Sequence, residues 1–119
     1  MDAILPLAAS LGVAPADTFA VRLQFDANGD YSGFEPGPLT GSGGKAAIIA
    51  AWKRANGLQR VAMVGDGMSD AEARAPGAAD TIIGYGGVVE RAAVRDAFRA
   101  AKSATDLRDL LPLLTLETP

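Results

Sequence analysis

The sequence predicts an α/β fold built on a parallel sheet. Short apolar runs typical of strands alternate with segments of helical periodicity, which is the pattern of strand–helix–strand units. The apolar run 61–64 ends in a glycine-bracketed turn that carries carboxylates, as expected where a buried strand reaches the carboxyl edge of such a sheet. The 119 residues suffice for one domain, so we predict a single domain over 1–119.

The first predicted elements are a helix and a hairpin. Apolar residues recur at helical spacing over 1–12, and the alternation at 19–25 predicts a half-buried strand. Asn28-Gly29 before the segment 31–34 is a strong hairpin signal. A calcium loop beginning at Asp26 is the competing interpretation, but it lacks the glycine and glutamate that such loops need at their sixth and twelfth positions.

The rest of the chain alternates helices and strands. A loop rich in glycine and proline at 35–44 precedes them. The predicted order is helix 45–56, strand 60–64, a short helix opened by a Ser69–Glu72 capping box and ended near Pro76, strand 81–83, and helices 88–101 and 106–114.

Composition excludes several kinds of chemistry. The chain has no cysteine and no histidine, so disulfides, zinc sites with cysteine or histidine ligands, and catalytic triads that need histidine are excluded. The net charge is −3 with no basic stripe, so we expect no nucleic-acid partner. No apolar run approaches the roughly 20 residues of a membrane span and no signal peptide is visible, so we expect a cytoplasmic protein without membrane association.

The turn Gly65-Asp66-Gly67-Met68-Ser69-Asp70 is the first candidate site. Carboxylates at the carboxyl edge of a sheet are suited to binding a hard divalent cation. The alternative is a strand-to-helix turn in which Ser69 caps and Asp70 complements the helix dipole. A dinucleotide fingerprint is excluded, because Asp70 stands where that motif has its third glycine.

The stretch Thr40-Gly41-Ser42-Gly43-Gly44-Lys45 is the second candidate site. Glycine-rich backbone and a lysine at a helix start can form an anion pocket. A P-loop is excluded, since Leu39 and Ala46 replace its first glycine and its Ser or Thr. A flexible loop with a solvated lysine is the alternative. A third glycine-rich stretch, Gly84–Gly87, is explained by a tight turn.

The two stretches are separated by one predicted helix and one predicted strand, so both are expected at the same edge of the sheet. Together they resemble the haloacid dehalogenase superfamily of phosphohydrolases, most closely its phosphoserine phosphatase branch. Ser42–Lys45 is similar to the third motif of that superfamily and Gly65–Asp70 to the fourth. Supporting similarity lies at 19–23, 28–34 and 83–88. The resemblance covers essentially the whole chain, and it is to the second half of such an enzyme.

The resemblance implies a truncated Rossmann-like sheet with flanking helices and a hairpin, and it implies a set of site residues. Mg²⁺, or Mn²⁺, would be held by Asp66 and Asp70, and Lys45 would neutralise phosphoryl oxygens; these three would be the catalytic residues. The further residues on the phosphate or substrate side would be Thr40, Gly44 and Ser69. The partner would be a small phosphorylated substrate.

Parts of the superfamily pattern do not occur in this sequence. No Asp-x-Asp-x-Thr segment, which supplies the nucleophile and the acid/base aspartate in that superfamily, is present. The second-motif residue would precede Met1, and the helical cap is absent. The resemblance places the nucleophile strand beside strand 60–64, which would have an unpaired apolar edge without it. We expect this edge to be covered by a second copy, through dimerisation or segment exchange, or by rearrangement of the 19–34 hairpin.

Two functions follow as hypotheses. The first is a slow, promiscuous, metal-dependent phosphate-ester hydrolase that does not use the aspartyl-phosphate route. The second is a non-catalytic fragment. Such a fragment would either bind metal or phosphate, or be one half of a split phosphatase that needs a partner with the nucleophile.

Overall fold

The computed structural model describes residues 1–86, 92–98 and 106–115. The chain divides into two compact units, Met1–Gly44 and Lys45–Pro119. The first holds a short helix and a hairpin, and the second holds the parallel sheet with its helices. The predicted α/β class, with a parallel sheet, helices and a separate hairpin, is therefore confirmed.

Helix α1, Leu5–Ser10, is shorter than the predicted 1–12. Gly12 follows it with φ +74°, the left-handed conformation that glycine adopts readily after a helix. The helix buries Ala8. A 3-10 turn at Pro15–Asp17 comes next, and the Thr18 hydroxyl closes it by donating to the Ala14 carbonyl at 3.0 Å.

The predicted hairpin is confirmed. Strands β1, Leu23–Phe25, and β2, Tyr31–Phe34, pair antiparallel, with Leu23 opposite Phe34 and Phe25 opposite Tyr31. The Asp26 carboxylate accepts backbone N–H groups of the turn at 2.8 and 3.0 Å, as an Asx-type turn does. The expectation of a half-buried strand over 19–25 is wrong, because the strand begins only at Leu23 and both Leu23 and Phe25 are more than half exposed.

The second unit is built on two parallel strands. Helix α2, Gly44–Ala55, leads to strand β3, Ala62–Gly65; helix α3, Met68–Ala71, then crosses over to strand β4, Thr81–Gly84. Strands β3 and β4 pair in register from Ala62–Thr81 to Gly65–Gly84. The carboxyl end of β3, where the carboxylate-bearing turn begins, therefore lies at one edge of this sheet.

Small side chains form much of the buried core of the second unit, as the low aromatic content indicates. Ala73, Ala78 and Ala79 are buried with Ile82 and Ile83 of β4. Phe98 and Leu110 supply the larger buried side chains of the described helical segments. Small side chains allow close approach of backbone to backbone, so α3 and the following turn lie tightly against β4.

The last helices are confirmed over part of their predicted ranges. Helix α4 is Ala92–Ala97, a 3-10 turn follows at Leu107–Leu110, and helix α5 is Leu111–Thr115. The predicted helix 88–101 extends beyond α4 into 88–91 and 99–101, which lie outside the described residues. Among the residues described, no helix has the length and apolarity needed to cross a membrane.

One ion pair joins α2 to the strands. Lys53 Nζ donates to both carboxylate oxygens of Asp80 at 2.9 and 2.7 Å, and one of these oxygens accepts the Val61 N–H at 2.8 Å. The hydrogen bond from Lys53, followed by the one from Val61, lowers the pKa of Asp80. The pair ties the last turn of α2 to the residues just before β3 and β4.

Candidate functional site

Asp70 is a buried carboxylate that organises the turn after β3. Its side chain is 8% exposed. Its Oδ2 accepts the backbone N–H of Asp66 at 3.1 Å and that of Gly67 at 3.0 Å. Charge-assisted bonds to backbone N–H groups are stronger than neutral ones, and the bond to Gly67 satisfies the N-cap amide of α3, which has no intrahelical partner.

Helix α3 is therefore capped by Asp70 and not by Ser69. The N-cap residue is Gly67, which has no side chain that could cap, and the carboxylate three residues later reaches back to its N–H. The predicted capping box of Ser69 and Glu72 is wrong, because the helix begins at Met68 and Ser69 already lies inside its first turn.

Gly65 provides the space in which the Asp70 side chain lies. A Cβ at position 65 would lie 2.2 Å from the Asp70 Cγ and 2.3 Å from its Cβ, which is closer than non-bonded atoms can approach. The backbone of Gly65 has no positive φ, so close approach and not conformational freedom explains this glycine. The glycine before Asp66 thus leaves room for the side chain of Asp70, which follows in the sequence.

Lys45 brings a positive charge to the same carboxylate. It lies in the first turn of α2, and its Nζ forms an ion pair with Asp70 Oδ1 and donates to Ser69 Oγ at 3.2 Å. Its side chain is 38% exposed. The ammonium is thus held on one side by Asp70 and Ser69, and it retains access to solvent and to an incoming anion.

Asp66 is the exposed carboxylate of the turn. Within the described residues no hydrogen bond or ion pair engages its side chain, whereas both oxygens of Asp70 accept hydrogen bonds from protein groups. The described part of the chain holds no cluster of three metal-ligating side chains. Mg²⁺ keeps several waters and is commonly held by one or two carboxylates with substrate oxygens. Asp66 fits such a site as a single protein ligand. The predicted ligation by Asp70 stays a prediction, because both of its oxygens accept hydrogen bonds from the protein.

Thr40 and Gly44 belong to the first unit. The Thr40 hydroxyl accepts the Gly37 N–H at 3.0 Å and donates to the Gly37 carbonyl at 2.7 Å, so it closes a 3-10 turn at Pro38–Thr40. Gly44 is buried, and a Cβ there would lie 1.6 Å from the Pro38 carbonyl oxygen. Both residues therefore have a local structural use, and their predicted contact with phosphate stays a prediction.

The structure thus brings three predicted site residues, Lys45, Ser69 and Asp70, into direct contact. Asp66 is linked to them through its backbone N–H, which Asp70 holds. The arrangement can bind an anion at Lys45 and a cation at Asp66. The role of Gly65 was not predicted. The available signal was a glycine directly before the turn, with the carboxylate of Asp70 five residues later.

Comparisons with known proteins agree with the motifs. No family model matches the sequence. The chain is 41% identical to phosphoserine phosphatase of Bos taurus over 109 residues, which are 91% of this chain and 47% of the relative. It is also 41% identical to the human phosphoserine phosphatase over 106 residues, 88% of this chain and 45% of the relative.

A solved structure shows the same fold. The crystal structure of a phosphoserine phosphohydrolase-like protein from Francisella tularensis matches with a TM-score of 0.75 and 24% identity, over 96% of this chain and 51% of that one. The chain spans about half the length of the curated relatives it matches. These similarities confirm the resemblance that the two motifs carry.

Proposed function

We propose that this chain, a homologue of phosphoserine phosphatases over about half of their length, is a metal-dependent phosphate-ester hydrolase of reduced form. The contact of Lys45 with Ser69 and the buried Asp70, at the turn that presents Asp66, is the observation that carries the proposal. A fixed cation beside an available carboxylate suits phosphoryl transfer, in which positioning and charge stabilisation supply most of the catalysis.

Each residue has a distinct role in this proposal. Lys45 binds the non-bridging oxygens of the phosphoryl group, and Asp70 fixes the position of the ammonium. Ser69 accepts a hydrogen bond from Lys45, so its own O–H proton can be donated to a phosphoryl oxygen. Mg²⁺ or Mn²⁺, held by Asp66, would polarise a phosphoryl oxygen and neutralise charge when bound.

Water is the proposed nucleophile, because the sequence contains no Asp-x-Asp-x-Thr segment for the aspartyl-phosphate route. Water attacks phosphorus and the bond from phosphorus to the ester oxygen breaks. The proton lost by the water goes to the leaving oxygen of an alcohol, or to solvent when a phenolate leaves. A positioned acid or base contributes about 10²–10⁴-fold in rate, and its loss predicts slow turnover. Esters with acidic leaving groups need no proton on departure, so we expect the highest rates with aryl phosphates.

The test is hydrolysis of a chromogenic aryl phosphate with Mg²⁺ or Mn²⁺, comparing the parent with Lys45→Met and Asp66→Asn. We expect each variant to lose on the order of tenfold or more in kcat/KM, equivalent to at least about 1.4 kcal/mol of transition-state binding. Chelation should abolish the parent activity. Glu72→Gln, an exposed carboxylate just beyond α3, is the matched control and should retain parental activity. If Lys45→Met and Asp66→Asn both match the parent, the site assignment is wrong.

The length of the match favours a second candidate. Because the chain spans about half of its relatives, it could serve as one half of a split phosphatase, or as a module that binds metal or phosphate without turnover. A purified chain that is silent alone and gains activity when the other half of a relative is added supports this candidate over the first. A small phosphorylated substrate, a cytoplasmic location and the absence of nucleic-acid and membrane partners remain predictions.

A further inference from the structure

Both asparagines of the chain stand directly before a glycine, as Asn28-Gly29 and Asn56-Gly57. Such a pair is prone to spontaneous deamidation, because the glycine has no side chain to hinder attack by its backbone nitrogen on the asparagine side chain. The reaction requires two groups to leave their native hydrogen bonds, namely the asparagine amide and the glycine N–H. The structure places these groups in different surroundings at the two positions.

Asn56 is held in place at the end of α2. Its Nδ2 donates to the Trp52 carbonyl at 2.8 Å. The Gly57 N–H donates to the Arg54 carbonyl at 3.2 Å, and the next N–H along the chain donates to the Lys53 carbonyl at 3.0 Å. The last two bonds are those of a Schellman motif. Attack on the Asn56 amide therefore requires both the loss of its side-chain bond and the unwinding of the helix end.

Asn28 lies at the tip of the hairpin, and its side chain is not held. The Asp26 carboxylate accepts the backbone N–H groups of Asn28 and Asp30, but within the described residues no hydrogen bond engages the Asn28 side-chain amide. The Gly29 N–H donates to the Asp26 carbonyl at 3.0 Å. One backbone bond must therefore open before the glycine nitrogen can attack.

Hydrogen bonding, and not exposure, distinguishes the two positions, because both asparagines are exposed. At Asn56 both reacting groups are bonded, and the ion pair of Lys53 with Asp80 anchors the same turn of the helix. At Asn28 the glycine N–H alone is bonded, in a turn at the end of a two-stranded hairpin. Segments with few tertiary contacts open at a low free-energy cost, so the reactive geometry is reached more often at Asn28.

We propose that Asn28 is a site of spontaneous deamidation in the folded protein and that the fold protects Asn56. A base takes the proton of the Gly29 N–H, the nitrogen attacks the Asn28 Cγ, and the bond from Cγ to the side-chain nitrogen breaks as ammonia leaves with that proton. Water then adds to either carbonyl carbon of the cyclic imide, and the bond from that carbon to the glycine nitrogen breaks. The nitrogen regains a proton, and the product is aspartate or isoaspartate.

Each product alters the hairpin. Aspartate adds a negative charge to a turn that already carries Asp26 and Asp30, and like charges repel. In isoaspartate the main chain runs through the side-chain CH₂, so the turn is longer by one backbone atom. Turn type and loop length fix the register of a hairpin. We therefore expect the isoaspartyl form to weaken the pairing of Phe25 with Tyr31.

The test is peptide mapping of the folded parent after incubation at mildly alkaline pH. Trypsin cleaves after lysine and arginine, so the two asparagines fall in separate peptides, 23–45 and 55–60. Mass spectrometry measures the replacement of NH₂ by OH in each peptide over time. We expect Asn28 to be converted on the order of tenfold or more faster than Asn56, because three hydrogen bonds protect the second position.

The same chain unfolded in guanidinium chloride is the matched control, since both asparagines then precede glycine without native hydrogen bonds. There the two rates should be similar. If the folded protein converts Asn56 as fast as Asn28, or if the unfolded chain shows the same preference as the folded one, the fold does not select the site and the proposal is overturned.

Amide hydrogen exchange measures the effect on the hairpin. The aged parent should lose protection in β1 and β2, whereas Asn28→Gln aged in the same way should retain it, because glutamine forms a cyclic imide far more slowly. Equal protection in the two aged proteins, with Asn28 of the parent converted, refutes the predicted change of register. Neither measurement depends on the proposed hydrolase activity.

Discussion

Asp70→Asn and Asp70→Ala test whether one buried carboxylate joins the lysine to the turn after β3. Alanine removes the acceptor of two backbone N–H groups and the partner of Lys45. Hydrogen bonds to a charged group contribute about 1.5–3 kcal/mol each. The Lys45 pair adds only about 0–1 kcal/mol, because the lysine side chain is 38% exposed and solvent screens it. We expect Asp70→Ala to lower the free energy of unfolding by about 3–6 kcal/mol.

Asparagine has the shape of aspartate and keeps one carbonyl oxygen. That oxygen can still accept both backbone N–H groups as neutral bonds, while the amide NH₂ replaces the oxygen that faced the Lys45 ammonium. We expect Asp70→Asn to lower the free energy of unfolding by about 1–3 kcal/mol, less than alanine. Since a small domain is stable by only about 5–15 kcal/mol, this difference separates a folded variant from a marginal one.

The assay is urea unfolding followed by circular dichroism and by the fluorescence of Trp52, the single tryptophan. Glu72→Gln is the control, and it should lie within about 0.5 kcal/mol of the parent, as exposed substitutions usually do. If Asp70→Asn lowers the free energy of unfolding as much as Asp70→Ala does, the turn is not held chiefly by an oxygen that accepts its N–H groups, and the reasoning is refuted. Both variants within the range of the control would refute the structural role of Asp70 altogether.

Two further predictions concern Gly65 and Asp80. Gly65→Ala, whose Cβ would lie 2.2–2.3 Å from Asp70 atoms, should lower the free energy of unfolding by about 1–3 kcal/mol in the same titration. Gly67→Ala, with its nearest contact at 3.6 Å, should cost less, and an equal cost would contradict the packing argument. The hydrogen bond from Lys53 lowers the folded-state pKa of Asp80 from 3.8, so its stabilisation is present above pH 3.8 and is lost as pH falls through the lowered pKa. The difference in unfolding free energy between the parent and Asp80→Asn should thus be constant at neutral pH and shrink in acid, and a difference that persists at the lowest pH would argue against the ion pair.

The parallel strands could be predicted from sequence, whereas the environment of the hairpin could not. At 60–64 and 81–83 the apolar runs indicated buried strands, and β3 and β4 lie within two residues of those bounds. Burial is confirmed for β4 but not for β3, in which Ala62 is exposed and Met63–Gly65 are half-buried. At 19–25 the alternation correctly grouped Leu23 and Phe25 on one face, but both are more than half exposed. Periodicity reports which side chains share a face, and it carries no information on what covers that face.

The candidate site, too, could be predicted from the sequence only in part. Because carboxyl ends of parallel strands and the following helix starts meet at one edge, the sequence could bring Lys45 and the Gly-Asp turn together. It could not assign the oxygens of Asp70, since that depends on distances of a few ångströms between residues 25 positions apart. The glycine at the N-cap, which cannot cap α3 itself, was the local sign that a carboxylate further along would do so.

Asp70 binds both the Lys45 ammonium and the backbone of the turn, so an anion that binds Lys45 competes with Asp70 for the ammonium. An anion that draws the Lys45 ammonium toward itself takes a cation away from Asp70, and that same carboxylate holds the N–H groups of Asp66 and Gly67. By thermodynamic reciprocity, if a cation at Asp66 changes the affinity of Lys45 for an anion by some factor, the anion must change the affinity of Asp66 for that cation by the same factor. We therefore expect ligand binding at Lys45 and at Asp66, which lie on separate elements, to be coupled.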